Sequence, residues 1–295
     1  MDIRRGILCG IAAYLVWGGS PIFWKSVEHV PAAEVLAWRV LCALLLLLIV
    51  VAVKRRWLAL REAVTRRRTL AIGVISGALL MFNWGLFLWA VTHDHIVEVS
   101  LGYYINPLMS VALGVVVMKE RLSSVVQLAI AIAAVGVAVM TFAAGELPWI
   151  SLCLAVTFAM YGLLKKHSDA AQPIEGLVIE VATTCIPLGL YLVILISVGE
   201  SQVVADGVYW TWLPFTGLIT VVPLLLFGVS AQLIPLSMVG MLQYLAPTLH
   251  LAIGLMLYGE SVSPGQVFGF VSIWIALGIY GFDSLRGSRT DATAT

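Results

Sequence analysis

Asn83 and Trp84 stand together inside a long apolar run, where an amide finds no bulk water to satisfy it. Such a pair can orient a polar group of a small molecule while the indole supplies an apolar or stacking wall. The alternative is an amide that bonds one helix to another. A second group, Tyr103, Tyr104, Asn106 and Pro107, is echoed by Gln243, Tyr244 and Pro247, with tyrosine and proline repeating at an offset of 140. Proline has no N–H and frees the carbonyl one turn back. These clusters are therefore either paired kinks or the two walls of one polar, aromatic pocket. Arg39, Glu180 and His250 add charge and a titratable ring within apolar stretches, where polar groups are costly and point to gating, ion coupling or binding. His250 could relay protons, since an unperturbed imidazole titrates near pH ~6.5, or simply be a satisfied packing residue. Trp17-Gly18 and Tyr161-Gly162 are similar aromatic-glycine pairs, suited to bending during gating or to close helix packing.

None of these residues makes a catalytic set. The chain has no His-Glu-x-x-His, no paired helical aspartates, no glycine-rich phosphate loop and no Ser–His pairing. Cys9, Cys42, Cys153 and Cys185 lie far apart in apolar runs, so neither a zinc site nor a disulfide framework is expected. No cofactor is implied, and the basic residues form no continuous face for nucleic acid.

The elements that carry these residues must be membrane helices. Hydrophobic residues make up 61% of the chain and charged ones 11%, against roughly half and a quarter in soluble domains. A spanning helix needs about 20 apolar residues. The hydropathy pattern predicts spans at 7–25, 35–53, 70–92, 98–118, 124–142, 148–165, 176–198, 212–234, 238–258 and 263–283. The first run is too long for the core of a signal peptide and no small-x-small cleavage site follows it, so it is expected to be a retained helix. With the N-terminus in the cytoplasm, 15 of the 17 Lys and Arg residues fall at the inner face, as the positive-inside rule requires. The outer loops hold Glu28, Asp94, Glu146, Glu200, Asp206 and Glu260. Trp149, Trp210 and Trp212 read as interfacial belt residues.

Residues 76–140 align with 216–280 at the same offset of 140, so that Gly77 falls on Gly217, Phe87 on Phe227, Gly114 on Gly254, Glu120 on Glu260 and Ser123 on Ser263. Glu34 matches Glu175 more loosely. Five spans per half is an odd number, so the second copy enters the membrane upside down. The expectation is an all-α membrane protein of ten transmembrane helices: a first repeat over 1–145, an inverted repeat over 146–285 and a tail over 286–295. Inverted repeats recur in secondary transporters, with the site near the midplane. The inversion also sets Arg39 near the outer face and Glu180 near the inner one, too far apart to pair. Glu120 and Glu260 read as solvated or capping groups.

Local strings narrow the class further. Ala-Ala-Tyr-Leu-Val-Trp-Gly at 12–18, Pro-Ala-Ala-Glu-Val-Leu-Ala-Trp-Arg at 31–39 and Asn-Trp-Gly-Leu-Phe-Leu-Trp-Ala-Val at 83–91 lie in the first half. So does Glu-Val-Ser-Leu-Gly-Tyr-Tyr-Ile-Asn-Pro-Leu at 98–108; Gln-Tyr-Leu-Ala-Pro-Thr at 243–248 and Tyr-Gly-Glu at 258–260 follow. Over nearly its whole length the chain resembles RarD-type members of the EamA-domain drug/metabolite transporter superfamily. The resemblance implies a bacterial inner-membrane permease that moves metabolites or drugs, often outward. The substrate-binding candidates are then Asn83, Trp84, Tyr103, Tyr104, Asn106, Gln243 and Tyr244. The gating or coupling candidates are Trp17, Arg39, Tyr161, Glu180 and His250. A lining rich in aromatic and amide groups suits a zwitterion, an aromatic amino-acid-like molecule or a neutral amphipath. A membrane-embedded enzyme or a sensor is the competing class; the first lacks motifs and the second a soluble domain.

Overall fold

The computed structural model describes residues 2–25, 30–93, 95–144, 149–168, 173–207, 211–259 and 264–292. Glu28, Asp94, Glu146, Trp210, Glu260 and Ser263 lie outside the described residues. The elements are α1 (Asp2–Lys25), α2 (Ala32–Val53), α3 (Trp57–Thr65), α4 (Arg67–Thr92), α5 (Ile96–Val116), α6 (Ser124–Ala144) and α7 (Trp149–His167). They continue with α8 (Pro173–Ser197), α9 (Gln202–Asp206), α10 (Leu213–Leu233), α11 (Leu236–Gln243), α12 (Leu245–Leu257) and α13 (Pro264–Ala292). No strand occurs among the described residues. Eight segments are long and apolar enough to cross a membrane, one of them spanning both α11 and α12; Leu101–Val116 and Val267–Tyr280 are shorter apolar stretches.

The apolar residues divide between an inside and a lipid face. Tyr14, Leu47, Tyr161, Leu177, Leu224, Phe227 and Ile234 are fully or almost fully buried where α1, α2, α7, α8 and α10 meet. A second core joins α5 and α6 to α13 through Tyr104, Ala129, Ala133, Phe270 and Ile273. Phe142, Ile186, Leu190, Val193 and Met256 point outward with most of their surface exposed, which is affordable only where lipid covers them.

Two glycines let helix backbones touch. A Cβ on Gly77 would lie 2.5 Å from the Glu180 carbonyl oxygen, where α4 crosses α8. A Cβ on Gly217 would lie 2.9 Å from the Cys42 carbonyl, where α10 crosses α2. The predicted ninth span is divided at Tyr244 into α11 and α12, just before Pro247, whose missing N–H breaks the ladder there. The last helix runs on to Ala292, through most of the segment expected to be a tail. The short helices α3 and α9 were not predicted.

Glutamates hold helix beginnings in place. On Glu34, Oε1 accepts from Ser201 Oγ at 2.6 Å and from Val203 N at 3.2 Å, while Oε2 accepts from Gln202 N at 3.1 Å. The carboxylate thus sits on the start of α9, where free N–H groups and the helix dipole favour an anion. Glu175 lies 2.7 Å from Arg56 Nε at the start of α3, an ion pair without hydrogen-bond alignment. Glu120 does not cap the helix that precedes it. It accepts from Leu236 N at 2.6 Å and Ser237 N at 3.0 Å, and so begins α11. Beside it Lys166 donates to the Ile234 carbonyl at 2.7 Å, closing the end of α10. Replacing Glu34 with alanine is expected to destabilise the protein by about 2–3 kcal/mol, because the buried Ser201 hydroxyl and Val203 N–H and the partly buried Gln202 N–H lose a charged acceptor. Chemical unfolding in detergent measures this, with Glu200→Ala, an exposed carboxylate near the same end, as the control.

Candidate functional site: a side-chain layer around Arg39

Several of the singled-out residues share one level. Arg39, Tyr103 and Thr220 are each seven residues into α2, α5 and α10. Trp17, Trp84 and His250 come seven or eight residues before the ends of α1, α4 and α12, and Asn83 nine before. Consecutive spans alternate in direction, so all these helix ends lie at the face away from the arginine-rich α3–α4 corner. At about 1.5 Å per residue the side chains sit roughly 10–13 Å inside that face.

Arg39 is the centre of the layer. Its Nε donates to Thr220 Oγ1 at 2.7 Å, and the Thr220 hydroxyl in turn donates to the Thr216 carbonyl at 2.8 Å. The guanidinium carbon lies 4.6 Å from the ring centroid of Trp84 and 5.4 Å from that of Trp24, both within cation–π range. Tyr103 stands at the same level on α5. Its ring meets His250 edge-on at 5.9 Å, and His250 Nε2 lies 3.3 Å from the Trp17 carbonyl. Tyr103 keeps 42% of its surface accessible, although Arg39 and His250 oppose it from other helices. Neither α2–α4 nor α5–α12 is among the main helix packings, which join α2 to α8 and α10 and α5 to α7 and α11.

Below the layer, aromatic rings from α1, α7 and α10 close the middle. Trp17 lies 5.9 Å from Phe158 and 5.8 Å from Phe227, and Tyr161 stacks on Phe227 at 5.6 Å. Tyr161 then donates to Glu180 Oε2 at 3.1 Å, and Lys165 Nζ reaches Glu180 Oε1 at 2.7 Å. Lys165 and Glu180 are only 4% and 1% exposed. They line the floor of a cavity of ≈ 650 Å³, whose rim carries Arg66, Arg67, Arg68 and His167. Arg39 and Glu180 thus do not pair with each other, as the inversion implies. Lys165 is the partner that sequence reasoning missed, having counted it only as an inner-face charge. The available signal was its position four residues after Tyr161, on the same helix face.

The remaining candidates are placed otherwise. Asn83 Nδ2 donates to the Leu154 carbonyl at 2.9 Å and to Thr157 Oγ1 at 2.8 Å, tying α4 to α7 at the edge of the layer. Tyr104, Gln243 and Tyr244 are buried. Tyr244 donates to the Tyr104 carbonyl at 3.3 Å, and Gln243 Nε2 donates to Ser110 Oγ at 3.2 Å, so these residues pack α5 against α11 and α12. Asn106 Oδ1 is buried with no hydrogen-bond partner among the described residues. Among those residues no group of His, Cys, Asp or Glu could hold a metal.

Known proteins carry the same architecture. Residues 4–142 match the model of the EamA-like transporter family. Protein RarD of Streptomyces exfoliatus is 39% identical over 97% of this chain and 91% of its own length. An uncharacterised transporter of Pseudomonas aeruginosa is 38% identical over 98% of this chain and 97% of its own. A solved crystal structure at 17% identity superposes with a TM-score of 0.74 over 94% of this chain and 97% of that one, a likeness of fold alone. With relatives this similar over nearly its full length, the chain belongs to the EamA-like transporter family as a RarD-like membrane transporter, not an enzyme.

Proposed function

We propose that the chain is a secondary transporter of a bacterial plasma membrane that works by alternating access about the Arg39 layer. It is built as two inverted five-helix halves, 1–145 and 146–285, with ten spans and both termini in the cytoplasm. The observation that carries this reading is that the packing maps onto itself when the halves are exchanged. Helix α1 packs on α10 as α7 packs on α4, α2 packs on α10 as α8 packs on α4, and α12 packs on α1 as α5 packs on α7. The close backbone approaches at Gly77 and Gly217 exchange in the same way, as do Glu34 at α9 and Glu175 at α3. Two halves with equivalent contacts can trade conformations, giving an opening first to one side and then to the other. The basic end, with its open cavity, belongs in the cytoplasm by the positive-inside rule.

The cargo is a small molecule held by Trp84 and Tyr103, with Trp17 and the rings beneath it as the internal gate. The sequence has no ATP-binding motif, so energy comes from a gradient. Proton exchange through His250 or Glu180 is the working form of coupling, and flux indifferent to a collapsed pH gradient would exclude it. For the test, amino acids, aromatic metabolites and phenylpropanoid antibiotics are screened for thermal stabilisation in detergent, and the hits are assayed for counterflow in proteoliposomes. Trp84→Ala and Tyr103→Ala are expected to cut flux at least ~10-fold, the effect of losing ~1.4 kcal/mol of binding, at unchanged expression. Wild-type flux in both variants would remove the cargo from this layer.

A further inference from the structure

We propose that Arg39 receives an anionic group of the cargo, and that the cargo is a monocarboxylate with a flat apolar body. This rests on the transport site lying in the Arg39 layer, as proposed above.

A guanidinium ~10 Å inside a spanning helix is expensive unless something compensates it. Near the opposite face this chain meets its cations with carboxylates: the buried Lys165, close to the end of α7, has Glu180, and the half-buried Arg56 before α3 has Glu175. Arg39 has none among the described residues. Its contacts are one hydrogen bond, from Nε to Thr220, and two indole faces. The sequence aligns Arg39 with Glu180, whose charge is met locally by Lys165 and Tyr161. The fold can therefore pair a charge at this position, and at Arg39 it leaves the partner out.

The geometry of what is present says what is missing. Thr220 holds one edge of the guanidinium and the rings of Trp24 and Trp84 hold it from the side. The four Nη hydrogens have no acceptor among the described residues. A carboxylate takes two parallel N–H bonds from such a fork. The layer offers one fixed cation, which matches one negative charge and is too little for a phosphoryl dianion. No described carboxylate lies in the layer to receive an ammonium group, which disfavours a cationic or zwitterionic cargo. The accessible face of Tyr103 and the indole of Trp84 then supply walls for an aromatic or flat apolar body beside the carboxylate.

The test uses the full-length protein purified in detergent and matched probes that differ only in the head group. These are 3-phenylpropionate, 3-phenylpropanol and 3-phenylpropylamine, with indole-3-acetate and indole-3-ethanol as a second series. The acids are expected to raise the unfolding temperature while the alcohols and the amine do not. Arg39→Gln should weaken acid binding roughly 10- to 100-fold, the loss of a charge-assisted pair, and Arg39→Lys should retain part of it. Should Arg39→Gln fail to fold, Trp84→Ala serves instead: it must lower acid affinity while keeping the preference for acid over alcohol. The proposal is overturned if no acid in either series shifts the wild type. It is equally overturned if alcohols stabilise as well as acids, or if Arg39→Gln responds like the wild type. Counterflow separates the two readings. Acid binding that depends on Arg39, with no flux of any bound acid, would sink the transport site and leave the anion site. A cargo that Arg39→Gln carries at the wild-type rate would do the reverse.

Discussion

Replacing Lys165 with methionine is expected to destabilise the protein by about 3–5 kcal/mol, the cost of leaving a buried carboxylate without its cation. Lys165 Nζ is 2.7 Å from Glu180 Oε1, and both side chains are almost wholly buried at the floor of the basic cavity. Tyr161 supplies a second bond to Glu180 at 3.1 Å, but a neutral hydroxyl cannot replace the ammonium. The double variant Lys165→Met/Glu180→Met is expected to be more stable than Lys165→Met alone, since it removes the orphan charge together with its partner. Chemical unfolding of the three proteins in detergent measures this as a double-mutant cycle. A single variant as stable as the wild type would show that water in the cavity solvates Glu180 without help. Tyr161→Phe sets the scale for a neutral bond and should cost about 1 kcal/mol.

Gly77→Val is expected to be the most damaging substitution in the helices, by well over the ~1–3 kcal/mol typical of overpacking. A Cβ there would stand 2.5 Å from the Glu180 carbonyl oxygen, 2.9 Å from Thr183 Cβ and 3.1 Å from Glu180 Cα. Two of those three atoms are backbone, so no rotamer change relieves the clash and α4 must move away from α8. That movement also disturbs the Glu180 ion pair. Gly217→Val should behave alike against the Cys42 backbone, where the approach is 2.9 Å. Gly189→Ala in α8 is the control: nothing lies within 4 Å of the added atom, and better helix propensity adds up to ~1 kcal/mol of stability. Yield of folded protein by size-exclusion chromatography and unfolding in detergent report both effects. If Gly77→Val proved as stable as Gly189→Ala, the close crossing of α4 and α8 would be refuted.

The parts of this architecture that were legible in the sequence are those that repeat. Gly77 and Gly217 share an offset, and each turns out to sit under a partner backbone. The proposed inversion of the halves implies that Arg39 and Glu180 stand at opposite ends, and each has partners of its own. The span boundaries came from hydropathy, which is a one-dimensional signal and survives folding. What hydropathy cannot express is which face of a helix a side chain takes. Tyr104 and Tyr244 recur at the right spacing for a pocket, yet they meet each other where α5 packs on the end of α11 and are buried. Asn83 is mid-span as expected, but its amide is taken up by the Leu154 carbonyl and Thr157. The short helices α3 and α9 escaped because each has too few residues to show a period. The role of Glu120 escaped because its partner N–H groups, on Leu236 and Ser237, lie more than a hundred residues away in sequence.

The principal neighbours of the early helices all come late in the chain. Helix α1 leans on α10 and α12, α2 on α8 and α10, α4 on α7 and α8, α5 on α7 and α11, and α6 on α13. A ribosome feeding this chain into a bilayer at about 5–20 residues per second leaves α1 to α6 waiting roughly 10–30 seconds for the last of their partners. Throughout that interval Arg39 has no Thr220, Glu34 has no α9 to hold, and the notch at Gly77 faces lipid. A chain that stopped at mid-length would leave these groups without the partners that the later helices supply. Most of the tertiary contacts of α1 to α6 thus form only once the later helices are in the membrane, so completion of the chain is itself a step in folding the bundle.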